Sequence, residues 1–441
     1  MKQIFLSFSL LLCPLISQAD ICSRSELIVS AAEDFFGKPC EQIENEEFNS
    51  SSLNAILHLI VHYKTGEKKL VLKRGDLAGV YNSDVLLTTP FDPNYKDKFN
   101  VRKNWKLVLG EGAFDGVIVK NDVSVIVVIS GWEFENDADF SQSPFSGMLI
   151  DGALVHMHLN VNKGPSALPD DIFSGIKLVN SGTIKSLNLE AMPALKKLPT
   201  QLCKDITTFG RFSFHSLGVN RFDSSLFQNC KSLNEIHINH VDLEEIPEGA
   251  FAGLNLDYLS IVDHQIKSFP SSAFKGTVGL KRLTLSDGFN YNFQLNLAED
   301  FLDSIKHSLT EVNFQYVKLE NLSSHFFSNS VLLKTVEIHG PKFQKLPSLF
   351  CENCKSLEIV KIVNGKKDFN EIAPDAFHGL RGLRILDLYG NDFSRGIPKL
   401  AFKDLISRHR TNIHVSLPIQ NELELRMEYP GLIYFNSYPL F

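Results

Sequence analysis

A phenylalanine returns along this chain about every 25 residues, at Phe227, Phe251, Phe274, Phe301, Phe327, Phe350, Phe377 and Phe402, so that seven intervals cover 175 residues. The same order of residues surrounds each one. VDLEEIPEGAFAGLNLDYLSI from Val241, HQIKSFPSSAFKGTVGLKRLTL from His264 and NGKKDFNEIAPDAFHGLRGLRILDL from Asn364 each carry an apolar residue, often a proline, then a Phe five residues after the apolar one, and then an L-x-L strand. A unit of this length cannot bury its apolar stripe alone, so the period predicts that neighbours stack into one continuous core.

Alternate residues of a strand point to one side. The pairs Ile236 and Ile238, Leu259 and Ile261, Leu283 and Leu285, and Leu386 and Leu388 therefore face inward from a parallel sheet, while each Phe fills the space under the opposite wall. Burying one Phe contributes roughly 1.5–3 kcal/mol. A chain with 34 phenylalanines has enough of them for such a spine.

Over roughly residues 150–405 these units resemble the typical extracellular leucine-rich repeat, L-x-x-L-x-L-x-x-N-x-I-x-x-I-P-x-x-x-F-x-x-L. The resemblance implies an α/β solenoid: a leucine-rich-repeat horseshoe with a parallel concave β-sheet and an irregular convex side of short helices and loops. The family's strand-end Asn has one clear match, Asn391 in LRILDLYGNDF. Val241, His264, Gly288, Val317, Pro341 and Gly365 hold the equivalent places, so those turns must close by other means.

The remaining segments frame this solenoid. MKQIFLSFSLLLCPLISQA, residues 1–19, reads as a secretory signal peptide, with Lys2, an apolar run and a small-x-small end before Asp20. Residues 20–150 hold CSRSELIVSAAEDFFGKPC, expected as a short helix closed by a disulfide, and then β-rich segments. Those segments fit either degenerate repeats or a separate small β domain, and the order VSVIVVIS, FSG, ALVHMHL favours repeats. Residues 151–405 form the solenoid, and 406–441 a C-terminal cap or tail sealed by the aromatic stretch from Tyr429. The formal charge of −7 becomes −8 without Lys2, which leaves no electrostatic footprint for nucleic acid. No second apolar stretch suits stable membrane insertion.

Secretion makes the cysteines disulfide candidates. Cys22, Cys40, Cys203, Cys230, Cys351 and Cys354 remain after the signal peptide. The C-x-x-C of LFCENC lacks the four convergent donors of a zinc site and the βαβ setting of a redox site. Counting five from Leu346 puts Cys351 in a Phe slot, as Cys203 lies five after Leu198. Cys230 and Cys354 lie about 24 Å apart at the strand spacing, too far for one bridge. The expected pairs are Cys22 with Cys40, Cys203 with Cys230, and Cys351 with Cys354.

The residues flanking the inward pairs line the concave face. They are Ser213 and His215; Glu235, His237 and Asn239; Tyr258 and Ser260; Arg282 and Thr284; Glu311, Asn313 and Gln315; Glu337 and His339; Lys361; and Asp387 and Tyr389. The face is polar with aromatic and histidine members. In related repeat proteins the concave sheet commonly binds a ligand, so the resemblance implies an extracellular protein ligand or receptor as partner, without cofactor, metal or catalysis. Histidines 156, 158, 215, 237 and 339 raise metal binding or a pH-sensitive grip, but HMH has no evident third ligand. Arg74-Gly75-Asp76 matches the integrin-recognised tripeptide, and a tight turn accounts for Gly75 equally well. Asn49 and Asn321 open glycosylation sequons. The function expected is a secreted, non-catalytic binding protein. The alternatives are a structural or adhesive matrix component and, less favoured, an enzyme or enzyme subunit with its chemistry at residues 50–150.

Overall fold

The computed structural model describes residues 22–435 apart from 23, 25, 44–55, 57–68, 82–83, 89–105, 162–163, 207, 263–264, 288–294, 320–321, 407–410, 416 and 430–432. The signal peptide, both sequon asparagines and the tail past Phe435 lie outside the described residues. The chain forms two compact units. One comprises Met1–Val155 with Ile172–Gly182, and the other His156–Asp171 with Thr183–Phe441.

The first unit opens with the helix Glu26–Phe36, closed by the Cys22–Cys40 disulfide. Arg24 fixes that helix to the chain beyond it, since its guanidinium donates to the carbonyls of Asp76, at 2.6 Å, and Ala78. Burial, partly offset by Asp76, lowers the Arg24 pKa to about 10. The strands Lys69–Leu72 and Lys106–Leu109 pair in parallel, as do Val85–Thr88 and Ser124–Ser130. Ile118–Lys120, Leu149–Asp151 and Lys177–Val179 make a three-stranded parallel sheet.

The turns of this unit are stacked repeats. Gly75 N–H donates to Gly112 O at 3.0 Å, Gly112 N–H to Ser143 O at 2.9 Å, and Gly147 N–H to Gly175 O at 2.9 Å. Rings follow the same stack, with Phe114 4.8 Å from Phe145 and Phe145 6.0 Å from Phe173. This arrangement overturns the integrin reading of Arg74-Gly75-Asp76. Asp76 is 1% exposed, its Oδ2 accepting Lys73 N–H at 2.8 Å, while Arg74 bonds Glu111 at 2.6 Å and Asp115 at 3.2 Å. A carboxylate folded back into its own turn is not offered to a receptor.

The second unit is a solenoid of parallel strands. Thr183–Glu190, Phe209–His215, Glu235–Asn239, Tyr258–Val262, Arg282–Ser286, Glu311–Gln315, Thr335–His339, Ile359–Val363, Ile385–Asp387, Asn412–His414 and Ile433–Phe435 follow one another as neighbours in a single ladder. The inward pairs named from the sequence are all buried, as are all eight phenylalanines of the 25-residue period. Consecutive rings touch: Phe227 to Phe251 at 6.3 Å, Phe251 to Phe274 at 5.6 Å, Phe274 to Phe301 at 5.5 Å and Phe327 to Phe350 at 5.2 Å. Little of the outer wall is helical. It consists of turns with 3-10 segments at Ser271–Phe274 and Lys399–Ile406, and the helix Ile419–Glu428 follows the last of them. Tyr429 ties that helix back by donating to Lys399 O at 3.0 Å.

Most strand ends lack the family's Asn, and main-chain hydrogen bonds close the turns there. Ser216, His240, Tyr316, Gly340 and Asn364, each just past a strand, have φ between 51° and 61°. Each donates its N–H to the end of the strand in the next turn, Ser216 to Asn239 O, His240 to Val262 O, Tyr316 to His339 O and Gly340 to Val363 O, or, for Asn364, to Tyr389 O two residues beyond it. The left-handed region costs an ordinary residue roughly 1–2 kcal/mol, offset here because each such residue satisfies a neighbour's carbonyl.

Two slot assignments require correction. Phe251 N–H bonds Ala273 O, the carbonyl just before the next anchor, and Phe350 N–H bonds Ala376 O in the same way. Phe350 therefore fills the slot, not Cys351. By the same criterion Leu202, whose N–H bonds Leu226 O, fills the slot that the count of five gives to Cys203. The cysteines sit beside these anchors as the disulfides Cys203–Cys230 and Cys351–Cys354.

Candidate functional site

The ladder register of the second unit sorts its outward side chains into three rows. The first runs Arg211, Glu235, Tyr258, Arg282, Glu311, Thr335. The second runs Ser213, His237, Ser260, Thr284, Asn313, Glu337, Lys361, Asp387. The third runs His215, Asn239, Val262, Ser286, Gln315, His339. Tyr389 lies just past the strand Ile385–Asp387 and is 41% exposed. The alternation that buries the inward pairs thus brings the flanking residues onto one surface. Ser260 and Ser286 lie in their rows but are only 5% and 4% exposed, so they offer little to a partner.

The face holds its own charges in order. Arg211 reaches Glu235 at 2.5 Å and Lys361 reaches Glu337 at 2.7 Å. Arg282 places its guanidinium carbon 4.3 Å from the centre of the Tyr258 ring, and the Tyr258 hydroxyl lies 3.2 Å from Thr284 Oγ1. Each such contact contributes little to stability at a wet surface. Their effect is to fix side chains that otherwise lose rotamer freedom when a partner arrives.

Histidines alternate with carboxylates. His237 Nε2 is 3.4 Å from Glu235, His339 Nε2 is 3.6 Å from Glu337, and His414 Nδ1 is 3.1 Å from Asp387. Glu190 serves two rings, with His158 Nε2 at 2.7 Å and His215 Nδ1 at 3.4 Å. His156 Nδ1 is 2.9 Å from Ser186 Oγ. Burial pushes His237 below the usual imidazole range in spite of Glu235. Burial also pushes Glu235 up, but its hydrogen bonds with Arg211 and then His237 outweigh that and hold it below the usual carboxylate range. The shared contact has one consistent reading: an ionised Glu235 paired with Arg211, beside a neutral His237.

Arg211 and Glu190 belong to the face and were missed by the sequence reading. The signal was present, because both flank inward pairs, Phe212 with Phe214 and Leu187 with Leu189. Among the described residues, the one group of three metal-type donors within 4.8 Å of one another is Cys22, Cys40 and Glu41, and its two sulfurs are joined in a disulfide. The arrangement on the strand face offers hydrogen-bond donors and acceptors, ring faces and two bound ion pairs. That chemistry suits recognition.

Parallel strands stacked on an inner Leu/Ile ladder and an outer Phe spine define this chain as a leucine-rich-repeat protein. Residues 196–305 and 304–407 match the BspA type leucine rich repeat region, in six copies. Over 152 residues the chain is 27% identical to the Transforming growth factor beta activator LRRC33 of Danio rerio, a match covering 32% of this chain and 21% of that protein. It therefore spans about a fifth of the length of this curated relative. Among solved structures, it is similar to a chain of the Toll–Spatzle complex of Drosophila, with TM-score 0.47, 14% identity and coverage of 68% of this chain and 40% of that one. A chain of the octameric complex of Latrophilin 3, Unc5D and FLRT2 gives TM-score 0.45, 15% identity and coverage of 70% and 82%. No helix among the described residues is long and apolar enough to cross a membrane.

Proposed function

We propose that the protein acts outside the cell as a non-catalytic binding protein, and that the three-row strand face of its second unit holds a protein partner. One observation carries this reading: a continuous ladder presents half-exposed polar side chains at fixed spacing, several of their charges already paired or stacked. Such a surface is preorganised, so less of the interaction energy goes into ordering it. Support comes also from the relative in Danio rerio, which is named for activating a growth factor. Three disulfides fit an oxidising compartment, and the N-terminal 19 residues fit a cleaved signal peptide. In this reading residues 151–405 are the binding solenoid, 20–150 lead into it, 406–441 close it, and sugars stand at Asn49 and Asn321.

The test is affinity capture from extracellular fluid with the full chain, beside a variant carrying Glu235→Ala, His237→Ala and Asn313→Ala. A partner retained by the first and lost by the second is expected. Equal capture by both, with the variant's melting unchanged, would refute the strand face as the contact surface. N-terminal sequencing of the protein recovered from medium is expected to begin at Asp20.

A further inference from the structure

At the end of the strand Ile385–Asp387 the second unit holds a cavity of about 560 Å³. Tyr389, Phe393, Leu417 and Pro418 give it an apolar lining, and Lys366 and Lys367 border it. It is a half-open cleft, and its volume falls within the ~300–1,000 Å³ typical of ligand-binding clefts. It is also a built feature. Asn391, the one strand-end Asn matching the family pattern, is 8% exposed and ties its own turn to the end of the preceding strand. Its Oδ1 accepts Gly365 N–H at 2.8 Å, while its Nδ2 donates to Ile362 O at 2.6 Å and Leu388 O at 2.7 Å. Lys366 is held at φ 51° by the bond from its N–H to Gly390 O at 2.9 Å. On the other wall the Tyr389 ring lies flat against His414, centroids 5.1 Å apart and planes 9° apart. His414 is in turn fixed by Asp387 at 3.1 Å.

The electrostatics select the occupant. Lys366 and Lys367 are both exposed at the border, and Asp368, the acid beside them, is paired with Lys342 at 2.9 Å. Asp392 is the acid that lines the cavity. It accepts Ser394 N–H at 3.2 Å and lies in the field of Lys367 and Arg395. Two lysines at the border face one lining acid, Asp392, which already lies in the field of Arg395, while Asp387 behind the wall is paired with His414; that balance favours an incoming negative charge, and the apolar lining favours a ring beside it.

We propose that this cavity is an anchor for the partner, taking an aromatic side chain flanked by carboxylates from a protein segment. The proposal rests on the strand-face reading above and names the partner's chemistry. Interface anchors are commonly aromatic groups in well-packed pockets, and the cavity opens beside Tyr389, the last member of the face.

The full chain is titrated with three probes, N-acetyl Asp-Phe-Asp amide, Lys-Phe-Lys amide and Asp-Ala-Asp amide, by NMR line broadening or calorimetry. Asp-Phe-Asp is expected to bind at least about tenfold more tightly than either of the others. Ser394→Trp, which occupies the space, and the pair Lys366→Glu with Lys367→Glu are each expected to weaken it about tenfold or more, with thermal unfolding unchanged. The charge pair lies on exposed positions and keeps the test intact should Ser394→Trp misfold. Equal affinity for all three peptides, or no binding, overturns the proposal. So does 3-phenylpropionate binding as tightly as Asp-Phe-Asp, since it points to a small-molecule site. The triple strand-face variant is expected to bind the peptide normally. Peptide selectivity with unaltered partner capture by that variant sinks only the strand-face reading, and lost selectivity with altered capture sinks only the anchor.

Discussion

Phe251→Ala tests the stacking logic at its centre. The ring is fully buried, lying 6.3 Å from Phe227, 6.3 Å from Phe269 and 5.6 Å from Phe274, so removing it opens a gap between two adjacent turns. Lost transfer energy is about 1.5–3 kcal/mol. A residual cavity of roughly 100 Å³ at about 24 cal/mol per Å³ would add about 2.4 kcal/mol if nothing relaxed, and partial collapse brings the total to about 3–5 kcal/mol. The backbone there is fixed independently, by Thr277 Oγ1 donating to Phe251 O at 2.9 Å, so complete collapse is opposed. Urea unfolding reads the loss as a fall in midpoint. Hydrogen exchange places it, because each repeat contacts only its neighbours and deprotection should centre on residues 227–305. Phe251→Leu keeps most of the volume and is expected to cost only about 1–2 kcal/mol. A wild-type midpoint for the alanine variant, or deprotection spread evenly along the chain, would refute the spine.

Three further outcomes follow from the same geometry. Asn391→Ala leaves Gly365 N–H and the Ile362 and Leu388 carbonyls without their partner, a loss of about 2–4 kcal/mol measurable as a lowered urea midpoint. Serine replacement of the Cys203–Cys230 pair, which closes a 27-residue separation, is expected to cost about 3.5 kcal/mol, against about 1.6 kcal/mol for Cys351–Cys354 with its separation of 3. The reverse order would exclude chain entropy as the main term. Burial pushes His156 and His237 below the usual imidazole range, with Lys185 and Arg211 adding to it at His156 and Glu235 opposing it at His237. The unfolded chain then takes up protons first, so stability is full above the unfolded value of ~6.5 and declines as pH falls through the window beneath it. The urea midpoint should therefore be lower at pH 5.5 than at pH 7.5, and His237→Gln should narrow that difference.

What the sequence makes legible depends on how far apart the deciding residues lie. Ile236 and Ile238 can be placed from their own spacing, and with them Glu235, His237 and Asn239 on the opposite side, because a strand's period of two leaves one choice. Which outward residues meet is a property of register between strands: Glu190 joins His158 and His215 from separations of 32 and 25 residues, which no local pattern encodes. In the first unit the leucine template misleads. Its repeats are marked by Leu77-Ala78-Gly79, Phe114-Asp115-Gly116, Phe145-Ser146-Gly147 and Phe173-Ser174-Gly175, whose glycines all take φ between 77° and 94°. A side chain there has no room in the stack; a Cβ on Gly147 would sit 2.0 Å from Asp115 Oδ1. The pattern recurs at less even spacing than the phenylalanine period, and glycine conveys backbone shape, to which an apolar template is blind.

LFCENC shows which constraint wins when two conflict. Counting from Leu346 puts Cys351 in the anchor slot, yet Phe350 occupies it, so the turn carries one residue more than SLFQNC does. The surplus is taken up locally, in the turn closed by the Cys351–Cys354 disulfide, where Leu349 takes a left-handed φ of 51° that the matching Leu226 does not. Had it passed into the next strand, a slip of one residue would have turned Val360 and Ile362 outward and driven Lys361 into the core. Exposing two fully buried aliphatic side chains forfeits about 3–6 kcal/mol, before the cost of burying an ammonium that now pairs with Glu337 at 2.7 Å. A strained turn residue costs about 1–3 kcal/mol. The imbalance keeps the strand in register and the irregularity on the outer wall, so the ladder runs unbroken past a sequence insertion.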